Sequence, residues 1–367
     1  MIIFLLTVLK IGSLLPLTGP LSAYGRDCLM GMKLAADELA IQGYDIKLYV
    51  ADNYGEPDET VKKLREIVAK GVDVIIGPLI SSCVLEIKDE IGREGILLIT
   101  PSATNDKVTE GNDNIWRICF TDRMQGTAMS KFAYEVLRKN KAAILCDSAN
   151  PYSRELAKYF ANSFEEMGGE IVYVGFYKSG TFFYAKILDE VIAHSPDCLF
   201  IPGYCEDVGH IIREARIRGL DIPLLGTDGW DSPRLVDLSG KHSGENYYCT
   251  HFFTGVPSSD VSIFCQKYME RYIMAPSSFS ALGYDAVKLI ATLAGREGIK
   301  SKELKEKIKE LKKFEGVTGE MIFEGERDPL KDFYIIRLKD GELQLAKIVK
   351  VKKVTSDKID IEFSEEW

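Results

Sequence analysis

Hydroxyl side chains follow two apolar runs of the sequence. The run GILLIT is followed by Pro101 and then by Ser102, Ala103 and Thr104, and the run VDVIIGPLI is followed by Ser81. Serine and threonine after a strand commonly cap the next helix, so a plain strand exit is one interpretation. The other is a rigid set of donors for an anion, because hydroxyls and the N–H groups of a helix start bind a carboxylate without burying a cation.

Aromatic and acidic residues follow other apolar runs. Tyr24 comes after the first run, Tyr152 after AAILCD, Tyr204 after CLFIPG, and Asp228 with Trp230 after IPLLGT. Open parallel sheets bind ligands at the carboxyl ends of their strands. One half of the sequence thus offers neutral hydroxyl donors, and the other offers tyrosines with one carboxylate. This division suits a zwitterion, because Asp228 would accept hydrogen bonds from its ammonium group. Taken singly, each residue could instead cap a helix, form a turn or pack in a core.

The elements that position these residues alternate between strand and helix. From Leu9 onward apolar runs are followed by loops and then by amphipathic helices, and the pattern restarts after about Phe120. Such βαβ units predict parallel sheets, and their repetition predicts two Rossmann-like α/β lobes. Asp340-Gly341 is a two-residue hairpin signal. Three strand-like segments are expected to carry the chain between the lobes and form a hinge, near 116–120, 246–253 and 321–333.

The predicted lobes are discontinuous in sequence. The first consists of residues 9–120 with 251–329, and the second of residues 121–250 with 330–355. Residues 1–8 are interpreted as the remnant of an export signal or as an extension of the first strand, because the apolar run is too short to span a membrane. Residues 356–367 are interpreted as a C-terminal tail.

Composition and motifs exclude several classes of function. The 367 residues carry a formal net charge of -9 and the sequence pI is near 5.2, which argues against nucleic acid as a partner. No nucleophile, phosphate-loop or metal motif occurs, so no cofactor or metal is expected and a binder is favoured over an enzyme. The four histidines are interpreted as surface or helix residues. The eight cysteines are interpreted as small buried hydrophobes, although Cys198 and Cys205 could bridge.

Several segments together resemble the periplasmic leucine/isoleucine/valine-binding proteins, the solute receptors of ABC importers with the type I two-lobed fold. The resemblance covers the chain from Leu9 to about Val351 and rests on GSLLPLTGPLSAYGRD, VDVIIGPLISS, GILLITPSATN, WRICFTDRMQG, GYCEDVGHIIREARIRGL and GTDGWDSPRL in this order. It implies no enzymatic activity. The partners it implies are an amino acid and a membrane permease, and the chain is expected to be a monomer.

The resemblance also implies roles for single residues. Ser81 and Thr104 would hold the α-carboxylate of the ligand, with the backbone at Ser102 nearby. Tyr24, Tyr152 and Tyr204 would line the pocket, together with Ala103 and Trp230, and Asp228 would bind the α-ammonium. Family members that bind leucine resemble this chain but carry glutamate where Asp228 stands, and their first-lobe disulfide corresponds to Tyr54 and Ile80 here.

Two functions are compatible with this sequence. The first is an extracytoplasmic solute-binding protein of an ABC importer, which binds an amino acid in the interlobe cleft by hinge closure. Branched-chain or related apolar amino acids are the first expectation, in the periplasm or at the cell surface. The alternative is a cytoplasmic sensor or regulator of the same fold, specific for an amide or an amino acid.

Overall fold

The chain divides into two compact units, each built from two stretches of sequence. The first comprises Met1–Phe120 and Val256–Lys331, and the second comprises Thr121–Gly255 and Asp332–Trp367. The structure is a computed structural model that describes residues 8–181, 183–240, 244–296, 301–355 and 358–364. The chain therefore passes from one unit to the other three times, after residues 120, 255 and 331.

The first unit contains a five-stranded parallel sheet in the order β2-β1-β3-β4-β5. Its strands are β1 (Leu9–Leu15), β2 (Ile46–Asp52), β3 (Val74–Ile76), β4 (Leu97–Thr100) and β5 (Ile115–Arg117). The three residues of β3 and the four of β4 are all buried, as expected for central parallel strands covered on both faces. A smaller antiparallel sheet is formed by β11 (Lys313–Gly316), β12 (Gly319–Ile322) and β13 (Leu330–Lys331).

Six α-helices lie within the described residues of this unit. They are α1 (Ser22–Ile41), α2 (Pro57–Val68), α3 (Ser81–Glu94), α9 (Ser259–Tyr272), α10 (Ser278–Ala294) and α11 (Ser301–Lys309). Helices α1 and α10 pack closely because each presents a glycine to the other. A Cβ atom on Gly31 would lie 1.8 Å from the Ser280 carbonyl oxygen, and one on Gly283 would lie 2.2 Å from that of Cys28.

The second unit contains an eight-stranded sheet in the order β16-β15-β14-β10-β9-β8-β6-β7. The strands are β6 (Lys141–Asp147), β7 (Glu170–Tyr177), β8 (Cys198–Phe200), β9 (Leu224–Gly226), β10 (Asn246–Thr250), β14 (Phe333–Lys339), β15 (Glu342–Val354) and β16 (Ile359–Ser364). The helices are α4 (Asp122–Lys131), α5 (Pro151–Glu166), α6 (Ala185–Ala193), α7 (Cys205–Ile217) and α8 (Arg234–Ser239). Strands β6 to β10 are parallel, whereas β14, β15 and β16 are antiparallel to their neighbours.

Apart from one predicted hairpin, only parallel sheets were expected, so the antiparallel pairs of β14 with β10 and of β15 with β16 are a correction. The predicted hairpin at Asp340-Gly341 is confirmed, since it joins β14 to β15 with φ angles of 51° and 84°. Both central residues of a type I′ turn require such positive φ angles.

Three domain boundaries differ from the expected ones. Residues 251–255 follow β10 directly and stay with the second unit, while Lys331 pairs with Met321 and stays with the first. Part of the expected tail forms β16, which pairs with β15. Residues 1–7, the main part of the expected signal remnant, lie outside the described residues.

All eight cysteines are free thiols, so the bridge considered between Cys198 and Cys205 is absent. Cys198 begins β8, whereas Cys205 begins α7 beyond the other end of that strand. Within the described ranges, the helices are too short or too polar to cross a membrane.

Candidate functional site

In the first unit, the predicted hydroxyl residues lie together at the carboxyl ends of β3 and β4. These strands are neighbours in the sheet, so the chain segments that follow them are adjacent. Side-chain hydrogen bonds tie these segments together. The Thr100 hydroxyl donates to the Pro78 carbonyl at 2.6 Å, and the Ser102 hydroxyl donates to the Leu79 carbonyl at 3.1 Å.

Ser81, Ser102 and Thr104 form what we call the hydroxyl cluster. Ser81 is the first residue of α3, and its hydroxyl accepts the Asn105 N–H at 3.3 Å. All three residues are buried, with exposed fractions of 2%, 7% and 0%. The Thr104 hydroxyl has no hydrogen-bond partner within the described part of the chain. A buried hydroxyl without a partner costs about 1–3 kcal/mol, so Thr104 is suited to a polar group of a ligand.

Two further predicted residues lie in this unit. Ala103 is completely buried within the loop that carries the hydroxyl cluster, and its N–H donates to the Thr100 hydroxyl at 3.1 Å. Tyr24 lies in the first turn of α1, is 3% exposed and places its ring 4.5 Å from that of Phe279.

In the second unit, Asp228 follows β9 and is 3% exposed. Its Oδ1 accepts hydrogen bonds from Gln125 Nε2 at 3.0 Å and from the Tyr152 hydroxyl at 2.6 Å. Its Oδ2 lies 3.3 Å from Nε2 of His251. We call these four residues the Asp228 cluster. They come from different parts of the chain, namely from α4, from α5, from the turn after β9 and from the residue that follows β10.

Tyr152 makes several hydrogen bonds around Asp228. Besides Asp228, its hydroxyl lies 2.7 Å from the Thr227 hydroxyl and accepts the Gly229 N–H at 3.0 Å. Burial, and next the charge of Asp228, raise the pKa of Tyr152 well above its ordinary value. Tyr152 is therefore a neutral donor. Its ring stacks on that of Tyr204, with the centroids 5.2 Å apart and the planes at 9°.

Trp230 supports the turn that carries Asp228. Its indole Nε1 donates to the Ile201 carbonyl at 2.9 Å, and the side chain is completely buried. A Cβ atom on Gly226 would lie 2.1 Å from the indole ring, so only glycine allows the ring this position. Contact between Trp230 and a ligand stays a prediction, whereas a packing role is evident.

A second carboxylate lies next to the Asp228 cluster. Asp122, at the start of α4, is fully buried, and its Oδ1 accepts a hydrogen bond from Gln125 Nε2 at 3.3 Å. One amide nitrogen thus joins two buried carboxylates. The Gln125 Oε1 atom accepts the N–H of Asp228 at 3.1 Å, which fixes the orientation of the amide. A buried carboxylate at this position attracts a cation such as an ammonium group.

Sequence analysis missed two members of the Asp228 cluster. The interpretation of His251 as a surface or helix residue is wrong, because it is completely buried beside Asp228 after the fully buried strand β10. His242 lies outside the described residues. Gln125 belongs to the segment WRICFTDRMQG, but nothing local in that segment indicates a bond to a residue 103 positions away.

Comparisons with known proteins identify the family. A family model described as "Periplasmic binding protein" matches residues 8–342. The chain belongs to this family. It is 26% identical over 333 residues to the leucine-, isoleucine-, valine-, threonine- and alanine-binding protein of Pseudomonas aeruginosa, with 89% of this chain and 88% of that protein covered.

Solved structures of periplasmic binding proteins agree with this assignment. The leucine-binding protein LivK of Thermotoga maritima has a TM-score of 0.88 at 29% identity, and the match covers 93% of this chain and 99% of the LivK chain. A second structure is the branched-chain amino-acid transporter substrate-binding protein LivJ of Streptococcus pneumoniae, solved with isoleucine. It has a TM-score of 0.88 at 28% identity, and the match covers 98% of this chain and 100% of the LivJ chain.

The comparisons confirm two predictions from the sequence. The chain has the two-lobed α/β fold of the type I periplasmic binding proteins. It is a solute-binding protein and not an enzyme.

Proposed function

We propose that this protein is the extracytoplasmic solute-binding component of an ABC importer for an amino acid, with branched-chain or related apolar amino acids as the preferred ligands. One observation carries the choice of ligand class. The candidate residues of the first unit are neutral hydroxyls at a helix start, whereas those of the second unit surround a buried carboxylate. The named specificities of the relatives agree with this choice.

The carboxylate of the ligand is assigned to the hydroxyl cluster. Thr104 offers a buried hydroxyl without a partner among the described residues, and Ser81 adds a hydroxyl at the positive end of the α3 dipole. Ser102 donates to a backbone carbonyl, so its hydroxyl fixes the loop, and its N–H is the group assigned to the ligand. Together these groups supply several hydrogen bonds to an anion without a cation in direct contact.

The ammonium of the ligand is assigned to Asp228. Its carboxylate is oriented by donors from Gln125, Tyr152 and His251, and Oδ2, which faces only His251 among these three, can accept a further hydrogen bond. An ammonium supplies three donors and the positive charge that a buried carboxylate attracts. The rings of Tyr24 and Tyr204 are assigned to the apolar part of the ligand.

A permease in the membrane is the partner that this function requires, and the chain is proposed to act outside the cytoplasm as a monomer. The family and the relatives support this location. Fractionation of cells that express the complete gene tests it, since recovery of the protein only from the cytosol would favour the sensor instead.

Isothermal titration calorimetry of the purified protein tests the ligand class. The standard amino acids are titrated, followed by 4-methylpentanoate, which is leucine without its amine, and 3-methylbutylamine, which is leucine without its carboxylate. We expect heat from leucine, isoleucine or valine and a loss of at least about tenfold in affinity for each analogue, because each lacks one set of charge-assisted hydrogen bonds. If no amino acid gives heat, or if 4-methylpentanoate binds as tightly as leucine, the proposal is wrong.

A further inference from the structure

A buried arginine lies behind the loop that carries the hydroxyl cluster. Arg117, the last residue of β5, is completely buried in the first unit. Its two terminal nitrogens donate to the carbonyl oxygens of Ala103 and Asn105, each at 3.0 Å. Its Nε donates to Asp328 at 2.6 Å, and one terminal nitrogen also reaches the Thr109 hydroxyl at 3.2 Å.

These contacts fix the direction of two peptide groups. In a planar trans peptide, the carbonyl and the N–H of the next residue point in opposite directions. The guanidinium holds the Ala103 carbonyl, so the Thr104 N–H is directed away from the arginine. The Asn105 carbonyl is held in the same way, so the N–H of Asp106 in that peptide is also directed away from the arginine. The Asn105 N–H belongs to the intervening peptide and donates to the Ser81 hydroxyl at 3.3 Å. Thr104 and Asn105 therefore lie between two peptide groups that a single side chain orients.

The positive charge of Arg117 favours a bound anion, as do the peptide orientations that its hydrogen bonds fix. A guanidinium bound to a carbonyl oxygen withdraws electron density along the peptide and strengthens its N–H as a donor, since linked hydrogen bonds polarise one another. Its partner Asp328 is 35% exposed, so water screens the carboxylate more than the fully buried guanidinium. A positive charge behind neutral donors stabilises an anion bound on the other side of the loop.

We propose that Arg117 is a positioning residue for the ligand carboxylate, which it recognises through the peptide groups of the 103–105 loop without touching the ligand. This inference rests on the proposed function. The inference goes beyond that function because it assigns a specific role to Arg117, namely the discrimination between a charged carboxylate and a neutral group of the same shape.

The matched control is Arg327→Met. Arg327 lies next to Asp328 in the sequence, and its backbone carbonyl accepts the Arg117 N–H at 3.2 Å. Its side chain pairs with Asp113, which is 82% exposed. The control therefore removes one positive charge close to Arg117 while the contacts to the 103–105 loop remain.

Calorimetry with L-leucine and L-leucinamide, at a pH where both amines are protonated, measures the effect. We expect Arg117→Met and Arg117→Lys to lose about tenfold or more in affinity for leucine and less than about threefold for leucinamide. The lysine variant is included because lysine keeps the charge but cannot bind two carbonyls at once. Arg327→Met should leave both affinities within about twofold. A purely structural role would weaken both ligands equally, so an unchanged ratio of the two affinities overturns the inference.

A measurement on the wild type keeps the inference testable if the Arg117 variants do not fold. In amide NMR spectra, the Thr104 N–H proton should move downfield on addition of leucine and much less on addition of leucinamide. Equal shifts with both ligands would contradict the assignment. Failure of the wild type to bind leucine overturns the proposed function, whereas wild-type binding with equal Thr104 shifts or an unchanged affinity ratio overturns this inference alone.

Discussion

Replacement of Asp228 by asparagine removes one charge from the Asp228 cluster while the shape of the side chain is kept. The asparagine oxygen can take the place of Oδ1 and accept the same bonds from Gln125 and Tyr152. The new amide nitrogen then faces Nε2 of His251, which becomes an acceptor in the tautomer protonated at Nδ1. We therefore expect Asp228→Asn to fold, with a free energy of unfolding within about 1 kcal/mol of the wild type.

The effect on binding should be much larger than the effect on folding. Asp228 is 3% exposed, so its charge is screened little by water. A charge-assisted hydrogen bond contributes about 1.5–3 kcal/mol, and its replacement by a bond to a neutral amide loses most of that. The affinity for leucine should therefore fall by about tenfold to a hundredfold.

Asp207→Asn is the matched control for this substitution. Asp207 lies in α7 of the same unit and is 5% exposed. Its carboxylate accepts bonds from the Gly180 N–H at 2.8 Å and from the Tyr184 hydroxyl at 2.6 Å, and its hydrogen bonds within the described ranges do not involve the Asp228 cluster. Calorimetry should show the loss of affinity in Asp228→Asn only. Equal affinity in Asp228→Asn and the wild type, or an equal loss in the two variants, would refute the assignment of the ammonium to Asp228.

Three further substitutions or modifications have defined outcomes. Tyr152→Phe should lower the free energy of unfolding, measured in urea, by about 2–4 kcal/mol, because the Gly229 N–H and the Asp228 carboxylate lose a buried partner. A loss below about 0.5 kcal/mol would contradict this expectation. Burial lowers the pKa of Lys331 from 10.5 to about 8. The unfolded chain therefore binds more protons between these values, and the stability of the wild type relative to Lys331→Met should rise by about 2–4 kcal/mol over that pH range; a flat or falling difference would contradict the shift. Among the eight thiols only Cys265 is not fully buried, so one thiol should react readily with Ellman's reagent in the native protein and all eight in denaturant; fast reaction of several native thiols would contradict this burial.

The parallel strands could be predicted because their signals are local. An apolar run such as that of β4 is buried on both faces, and the turn signal Asp340-Gly341 defines a hairpin within a few residues. The order of strands in the second sheet could not be predicted in the same way. Strand β14 pairs with β10, so Ile336 lies opposite Tyr248. Such pairing depends on contacts distant in sequence, which periodicity does not encode.

The candidate site shows the same division between local and distant signals. Ser81 and Thr104 each follow a buried run, and the rule that ligands bind at the carboxyl ends of parallel strands was enough to select them. Gln125 and His251 reach Asp228 across 103 and 23 residues. A glutamine in an amphipathic helix and a histidine after a strand are ordinary in sequence. Only the folded structure shows that both surround the same carboxylate.

Both units hold a charge behind the groups assigned to the ligand. In the first unit, the Arg117 cation lies behind the loop that carries Thr104. In the second unit, Gln125 links Asp122 to Asp228, so a second carboxylate lies behind the one assigned to the ammonium. In each unit this buried charge, on Arg117 or on Asp122, has the sign opposite to that of the ligand group proposed to bind there. Both charged groups are fully buried in the structure, so the ligand gains their field without the cost of stripping water from them on binding. Affinity for each end of the ligand should therefore depend on residues that do not touch it.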